Sequence, residues 1–197
     1  MLRVIEPAAS YDLTTLDAAR AECGVTGSAQ DAALLRMIRA ASDAIASHCG
    51  TPFARELVEQ TEMDIAGARA IILDRIGDIE IASIEENSVA VDADGWDLDG
   101  RLLRRRLGGV RCHWPGWRVT ITYRAGWQLM GSLPYSVEQA ALSTVAAWWS
   151  QRSRPAGLRS ETIEGIGSFS YATPGADSGG LTPDAIRLLA PFRPVIF

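Results

Sequence analysis

The apolar residues of this chain change period twice, from helical to alternating and back to helical, and this switch restricts the fold more than any single motif. In the first stretch, Leu34, Leu35, Ile38, Ala41, Ile45 and Cys49 recur near every 3.6 residues and predict an amphipathic helix. Gly50 stands where a left-handed terminator belongs, and Pro52 blocks resumption. Upstream, Thr14 with Asp17 reads as a capping-box start for a short helix, Thr15 to Glu22, that Gly24 and Gly27 end. Ser28 with Asp31 reads as the start of the second helix.

From about Leu57 to Trp127 the pattern becomes short apolar or alternating runs punctuated by Asp-Gly, Asn-Ser and Gly-Gly. Ala70 to Leu73, Ile79 to Ile84, Ser88 to Val91, Arg101 to Leu103 and Arg118 to Tyr123 are strand signals with hairpin punctuation. Val119, Ile121 and Tyr123 share one face and Thr120 and Thr122 the other, as in a half-buried strand. The helical period then returns. Pro134 precedes a helix over Tyr135 to Gln151 with an apolar stripe of Val137, Ala140, Ala141, Thr144, Val145, Trp148 and Trp149. A segment rich in Gly, Ser, Pro and Ala follows, with a strand signal at Ile166 to Tyr171. Thr182 and Pro183 then supply cap and first-turn chemistry for a last helix that stops before Pro191.

The expected fold class is therefore α+β: an amphipathic helix bundle, two helices N-terminal and two C-terminal, with an inserted antiparallel β-rich module. A single domain over 1–197 divides into N-terminal helices at 1–56, a β-rich insertion at 57–127 and a long helix at 128–152. A mobile loop at 153–180 and a C-terminal helix with an extended apolar tail at 181–197 complete it. A chain of 197 residues buries roughly 70% of its unfolded surface, enough for a core without disulfides or metal. No run approaches the ~18 consecutive apolar residues of a membrane span, and Met1 to Ser10 lacks the apolar run of a secretion signal. Synthesis in the cytosol is the expectation.

Chemistry is sparse. Cys23, Cys49 and Cys112 are too scattered for a disulfide framework and read as small hydrophobes or free thiols. His48 and His113 belong to no metal-ligand spacing; Cys112-His113 has no second pair to complete a tetrahedral site. His48 falls in the last turn of the second helix, where an imidazole meets the helix C-terminus favourably. Asp92 to Gly100 offers four aspartates at short spacing, but Trp96 stands where a calcium loop needs an oxygen and no glutamate closes the register. Asp-Gly turns in a β meander explain the same residues. Gly165-Ile166-Gly167 opens no helix, so it is no phosphate loop. No nucleophile is paired with a base at a recognisable spacing. The expectation is no catalytic residue, no cofactor and no metal.

Two features point instead to contacts with other macromolecules. All 19 cationic side chains are Arg, the residue suited to planar, bidentate contacts, although base composition explains that bias as well. Arg101, Arg104, Arg105 and Arg106 cluster beside the acidic loop, which neutralises them if the segment is a hairpin and leaves a partner-binding patch otherwise. Trp148 and Trp149 are about 100° apart on their helix, so at least one indole is expected off the core stripe, under the β module or against another subunit. A net charge of −5 argues against bulk phosphate binding.

The order of the pieces resembles the head-tail connector, or adaptor, family of long-tailed phages. The resemblance starts at Leu13-Thr14-Thr15-Leu16-Asp17-Ala18-Ala19-Arg20 and continues through Asp31-Ala32-Ala33-Leu34-Leu35 to the helix exit Cys49-Gly50-Thr51-Pro52-Phe53. Val119-Thr120-Ile121-Thr122-Tyr123-Arg124-Ala125-Gly126-Trp127 is similar to the family's strand ending in tyrosine-x-alanine-glycine-aromatic. Leu133-Pro134 opens the third helix, and Leu188-Leu189-Ala190-Pro191-Phe192-Arg193 is similar to the family's closing motif. The likeness spans about residues 11–193. The segment from Leu57 to Arg118 is longer than in small members of the family.

This resemblance implies a non-enzymatic virion protein made in the host cytoplasm and located in the neck, at the head-tail interface. It implies a ring of identical subunits, a dodecamer, under the portal protein. A tail-side head-closure or tail-terminator protein would attach below, and DNA would pass through the channel without sequence readout; no membrane is involved. Within that picture, the apolar tail residues Phe192, Arg193, Val195, Ile196 and Phe197 are expected to bind the portal. Arg101, Arg104, Arg105, Arg106, Trp148 and Trp149 are expected to contact a neighbouring subunit or partner. The competing expectation is a DNA-binding packaging component.

Overall fold

The computed structural model describes residues 1–129, 131–152, 160–163, 167–170 and 179–193. They fall into two compact units, one of Met1–Ser10 and Thr51–Ser132, the other of Tyr11–Gly50 and Leu133–Phe197. The architecture is mixed helix and antiparallel sheet, an α+β protein.

In the first unit nine strands form two sheets: β1 (Leu2–Glu6), β2 (Glu56–Met63), β3 (Ile71–Ile72), β4 (Glu80–Glu86), β5 (Val89–Ala90), β6 (Trp96–Asp99), β7 (Leu102–Leu107), β8 (Val110–Cys112) and β9 (Arg118–Ala125). One sheet has the order β1-β2-β9-β4-β5, and in the other β7 pairs with β3, β6 and β8. The punctuation seen in the sequence closes hairpins here. Asn87 and Ser88 join β4 to β5, and Gly108 and Gly109 join β7 to β8, all four at positive φ, as the tight turns matched to strand twist require. The alternation of β9 is realised as expected: Val119, Ile121, Tyr123 and Ala125 are buried. They meet Val58, Ile84, Ile71, Leu73, Leu103 and Trp114 in one core.

Strand β1 lies in the segment expected to hold only N-terminal helices. It is an edge strand with little burial, held by pairing Leu2, Arg3 and Val4 with Gln60, Glu59 and Val58. The inner row of β2 is polar at two places. Glu56 is buried against Arg75, 3.0 Å away. Gln60 is fully buried, donating to the Ile72 carbonyl (2.9 Å) and Glu62 (2.8 Å) and accepting from Asp74 N–H (2.9 Å) and the Tyr123 hydroxyl (2.8 Å). All four hydrogen-bonding positions of the amide are filled, and the bonds tie β2 and β9 to the chain just after β3.

After β9 the chain turns through Gly126 at φ +103°, where a Cβ would stand 2.3 Å from the Ala54 carbonyl oxygen. Gly77 packs on the other side, its own Cβ position 2.9 Å from Gly126 Cα. Three backbone segments meet at this point, so only glycine fits. Trp127 then stacks on Phe53, with ring centroids 5.5 Å apart.

The second unit carries α1 (Leu16–Glu22), α2 (Asp31–Cys49), α3 (Tyr135–Gln151) and α4 (Pro183–Leu189). Ala19, Leu34, Ile38, Ala41 and Val145 bring α1, α2 and α3 onto a common core, and α3 packs against α4. The buried stripe of α3, Val137, Ala140, Ala141, Thr144 and Val145, matches the sequence expectation. Gly50 adopts the left-handed cap at φ 67°. Two N-termini differ from expectation. Thr15, not Thr14, caps α1 by accepting from Ala18 N–H at 3.0 Å, and Thr14 is buried. Ser28 does not cap α2: the cap position is Gln30 without a side-chain bond, and the Asp31 carboxylate is taken by Arg20 of α1. An interhelix ion pair outcompetes the local cap. Ser42, buried within α2, donates to the Ile38 carbonyl and accepts from Leu13 N–H.

In the expected loop, β10 (Ser160–Ile163) pairs antiparallel with β11 (Gly167–Ser170), the latter inside the strand signal read at Ile166 to Tyr171. The rest of 153–178 lies outside the described residues.

Candidate functional site

The arginine cluster sits on β7 and the turn before it, and the structure accounts for most of its charge internally. Arg101 donates to the Leu73 carbonyl at 2.7 Å. Arg104 pairs with Asp99 at 3.0 Å. Arg105, only 18% exposed, bonds Glu86 at 3.1 Å and the carbonyls of Gly95 and Arg106, and lies over the buried Trp114 ring. Arg106, half-buried, donates to the Gly109 carbonyl at 2.8 Å, and its charge also acts on Asp97. Arg111, a position the sequence reading did not single out, bonds Asp97 through two nitrogens, and this guanidinium holds the Asp97 carboxyl below the usual range. Two aspartates of the Asp92 to Gly100 run thus serve arginines, Asp99 that of Arg104 on β7 and Asp97 that of Arg111 on β8. Among the described residues no group of His, Cys, Asp or Glu is placed to hold a metal ion.

Trp148 and Trp149 both pack against the helical core from its flanks, each partly buried. Neither ring is among the fully buried residues of α3. The centre of the stripe is small (Ala140, Ala141, Val145), so rings on either side of it both reach the core. The Trp148 indole N–H donates to the Gly180 carbonyl at 2.9 Å, joining α3 to the residues before α4. The Arg152 guanidinium lies 3.7 Å from the centre of the Trp149 ring, a cation–π arrangement.

At the C-terminus, Thr182 caps α4 through Ala185 N–H at 3.1 Å, with Pro183 in the first turn. A 3-10 turn, Ala190–Phe192, extends past the α-helical end, since Pro191 tolerates the tighter turn though not a continued α-helix. Phe192 is half-buried and Arg193 exposed and extended; Val195, Ile196 and Phe197 lie outside the described residues. The environment of His48 disfavours the cation expected at its helix end. Burial, with the Arg193 charge adding to it, lowers its pKa, and its Nε2 is buried without a hydrogen-bond partner among the described residues. Burial likewise pushes the Cys49 thiol up to about 11, so it is protonated and unreactive at neutral pH. No helix among the described residues is long and apolar enough to cross a membrane.

A family model described as head completion protein matches residues 12–188. Among solved structures, a chain from the virion of a native gene transfer agent particle aligns over 100% of this chain and 97% of its own, at 20% identity and a TM-score of 0.60. A chain from the neck of the native particle computed with C12 symmetry aligns over the same shares at 19% identity and a TM-score of 0.61. One from the neck of the empty particle computed with C6 symmetry does so at 19% and 0.57. These likenesses show a shared fold across the full chain. No curated protein matches. The match runs over nearly the whole chain, from the residue before the first ordered motif to the last helix, and places the protein: it belongs to the head completion protein family.

Proposed function

We propose that this protein is a structural ring subunit of the neck, seated under the portal protein and joining it to a tail-side head-closure or tail-terminator protein. The observation that carries the reading is the family match over residues 12–188; the full-length fold likeness to neck chains of a particle computed with twelvefold symmetry supports a ring and its location. DNA passes through the channel as cargo and is not read in sequence. In this role the four helices form the bundle that carries the portal-facing tail, and the β-rich unit supplies contacts to neighbouring subunits.

A chain that works this way needs rigid units and adhesive ends rather than a catalytic cluster. The end that fits the portal is the tail: Phe192 closes the last 3-10 turn and Arg193 leaves it extended, followed in sequence by Val195, Ile196 and Phe197. A short apolar segment without a core of its own gains most by ordering on a partner. Removing residues 191–197 is expected to abolish co-sedimentation with portal rings while the helical far-UV signal and melting temperature stay near wild type. Undiminished portal binding by the truncated protein would remove the tail from the account. The DNA-binding alternative draws less support, because Arg101, Arg104 and Arg105 are committed to carboxylates and carbonyls of their own unit.

A further inference from the structure

The β7–β8 hairpin outruns the core it belongs to. Opposed residues on paired strands share a face, so Ile71, Leu98, Trp96, Leu103, Arg105, Cys112, Leu107 and Val110 form one row across β3, β6, β7 and β8. The inner part of that row is core: Ile71 and Leu103 are buried, and Trp96 and Leu98 pack against them. The outer end is not. Leu107 and Val110, paired across the turn, are 75% and 70% exposed. On the opposite face, the pair Arg106 and Arg111 sits beside this apolar tip, and Arg111 stays 60% exposed even while bonded to Asp97.

The tip is pre-formed. Gly108 and Gly109 take positive φ of 56° and 82°, and Arg106 bonds back to the Gly109 carbonyl. A tight turn fixed in this way loses little conformational freedom on docking. Residues 101–118 contain six arginines and no carboxylate, in a chain of net charge −5. Asp99, Glu86 and Asp97 answer Arg104, Arg105 and Arg111, while Arg106, next to the turn, bonds the Gly109 carbonyl and leaves a positive charge at the tip. The partner whose chemistry fits an apolar tip flanked by arginines is a surface with apolar side chains among carboxylates. A second copy of this chain carries the compensating acidic excess, since its net charge is −5 although residues 101–118 hold no carboxylate. Two cationic tips repel each other, which disfavours a symmetric tip-to-tip dimer and favours a head-to-tail contact, the kind a closed ring requires.

We propose that the β7–β8 tip is one half of the contact between adjacent copies of this chain, with Leu107 and Val110 seated on the neighbour and Arg106 facing its carboxylates. The inference rests on the ring reading above and names the surface that makes the ring.

The test places a photo-crosslinking p-benzoylphenylalanine at Leu107 in the full chain and irradiates assembled particles. Adducts of this chain with itself are expected. Adducts with a different protein, adducts with DNA, or no adduct at all would each overturn the proposal. In parallel, Leu107→Asp with Val110→Asp is expected to leave the melting temperature of the isolated chain unchanged, since both side chains are exposed. The same pair should weaken self-association by about tenfold or more, the scale of losing anchor residues at an interface. Unchanged self-association would also overturn it. Counting wild-type copies in the neck by electron microscopy separates the two failures. A ring without adducts at position 107 removes only the hairpin contact, whereas a single copy removes the ring reading together with it.

Discussion

Replacing Gln60 tests whether a buried amide, rather than apolar contact alone, locks the two sheets of the β-rich unit together. The side chain is fully buried and fills all its hydrogen-bonding positions with Ile72, Glu62, Asp74 and Tyr123. In Gln60→Ala, the Ile72 carbonyl and the Asp74 N–H lose the Gln60 partner, and the Tyr123 hydroxyl loses its acceptor while still accepting from the Arg75 N–H at 3.3 Å. An orphaned buried group costs about 1–3 kcal/mol, so a loss of about 3–5 kcal/mol is expected, a large part of the ~5–15 kcal/mol of a typical domain. Gln60→Leu separates the causes: it fills the space yet leaves the same groups unpaired, so it should destabilise nearly as much as alanine. Gln60→Glu keeps both acceptor roles but turns the donating nitrogen, which faces the Ile72 carbonyl and Glu62, into an acceptor. The pKa of that buried carboxyl is then raised in the folded state. Its penalty is smallest below the unfolded pKa of ~4.3 and grows as pH rises toward neutrality. Urea unfolding followed by tryptophan fluorescence, with Trp114 buried in this unit, reads the differences as shifts in midpoint. A Gln60→Leu variant as stable as wild type would refute the hydrogen-bond reasoning.

Gly126→Ala should destabilise the β-rich unit by about 2–5 kcal/mol, from strain at positive φ together with overpacking, because the added Cβ meets the Ala54 carbonyl at 2.3 Å; a midpoint within experimental scatter of wild type would contradict the close-approach account. For His48, the folded pKa is lowered by burial and then by Arg193, so the unfolded chain takes the proton first. The contribution of this site to stability is therefore complete above the ordinary value of 6.5 and is lost as pH falls below it. His48→Gln is expected to flatten the acid limb of stability against pH in that window, measured by thermal unfolding from pH 7 to 5; an unchanged limb would contradict it.

Elements that bury a regular apolar row were legible from the residues alone. The stripe of α3 and the alternation of β9 appear in the structure at the positions the periodicity predicts. Strands stabilised by other means were not. The inward row of β2 reads Glu56, Val58, Gln60, because two of its buried positions are filled by polar groups whose partners, Arg75 and the residues around Ile72, come from distant sequence. β1 is held by backbone pairing at an edge, with only Leu2 partly buried and so no row to print a pattern. β6 was hidden under its aspartates, although Trp96-Asp97-Leu98-Asp99 does alternate with period two, and Asp97 stands opposite Arg104. That alternation was the available signal. Similarly, the arginines were legible as a cluster, while the division into Arg104 and Arg105 on carboxylates and Arg101 and Arg106 on carbonyls required knowing which groups the meander brings near. The apolar tip at Leu107 and Val110 followed only from the strand register.

The most direct test of the connector account is the mass of the purified full-length protein in solution, alone and mixed with portal rings. The account predicts a ring, or a complex that forms only when the portal is present. A monomer that ignores the portal and binds DNA with a steep salt dependence would contradict it and return the protein to a packaging role.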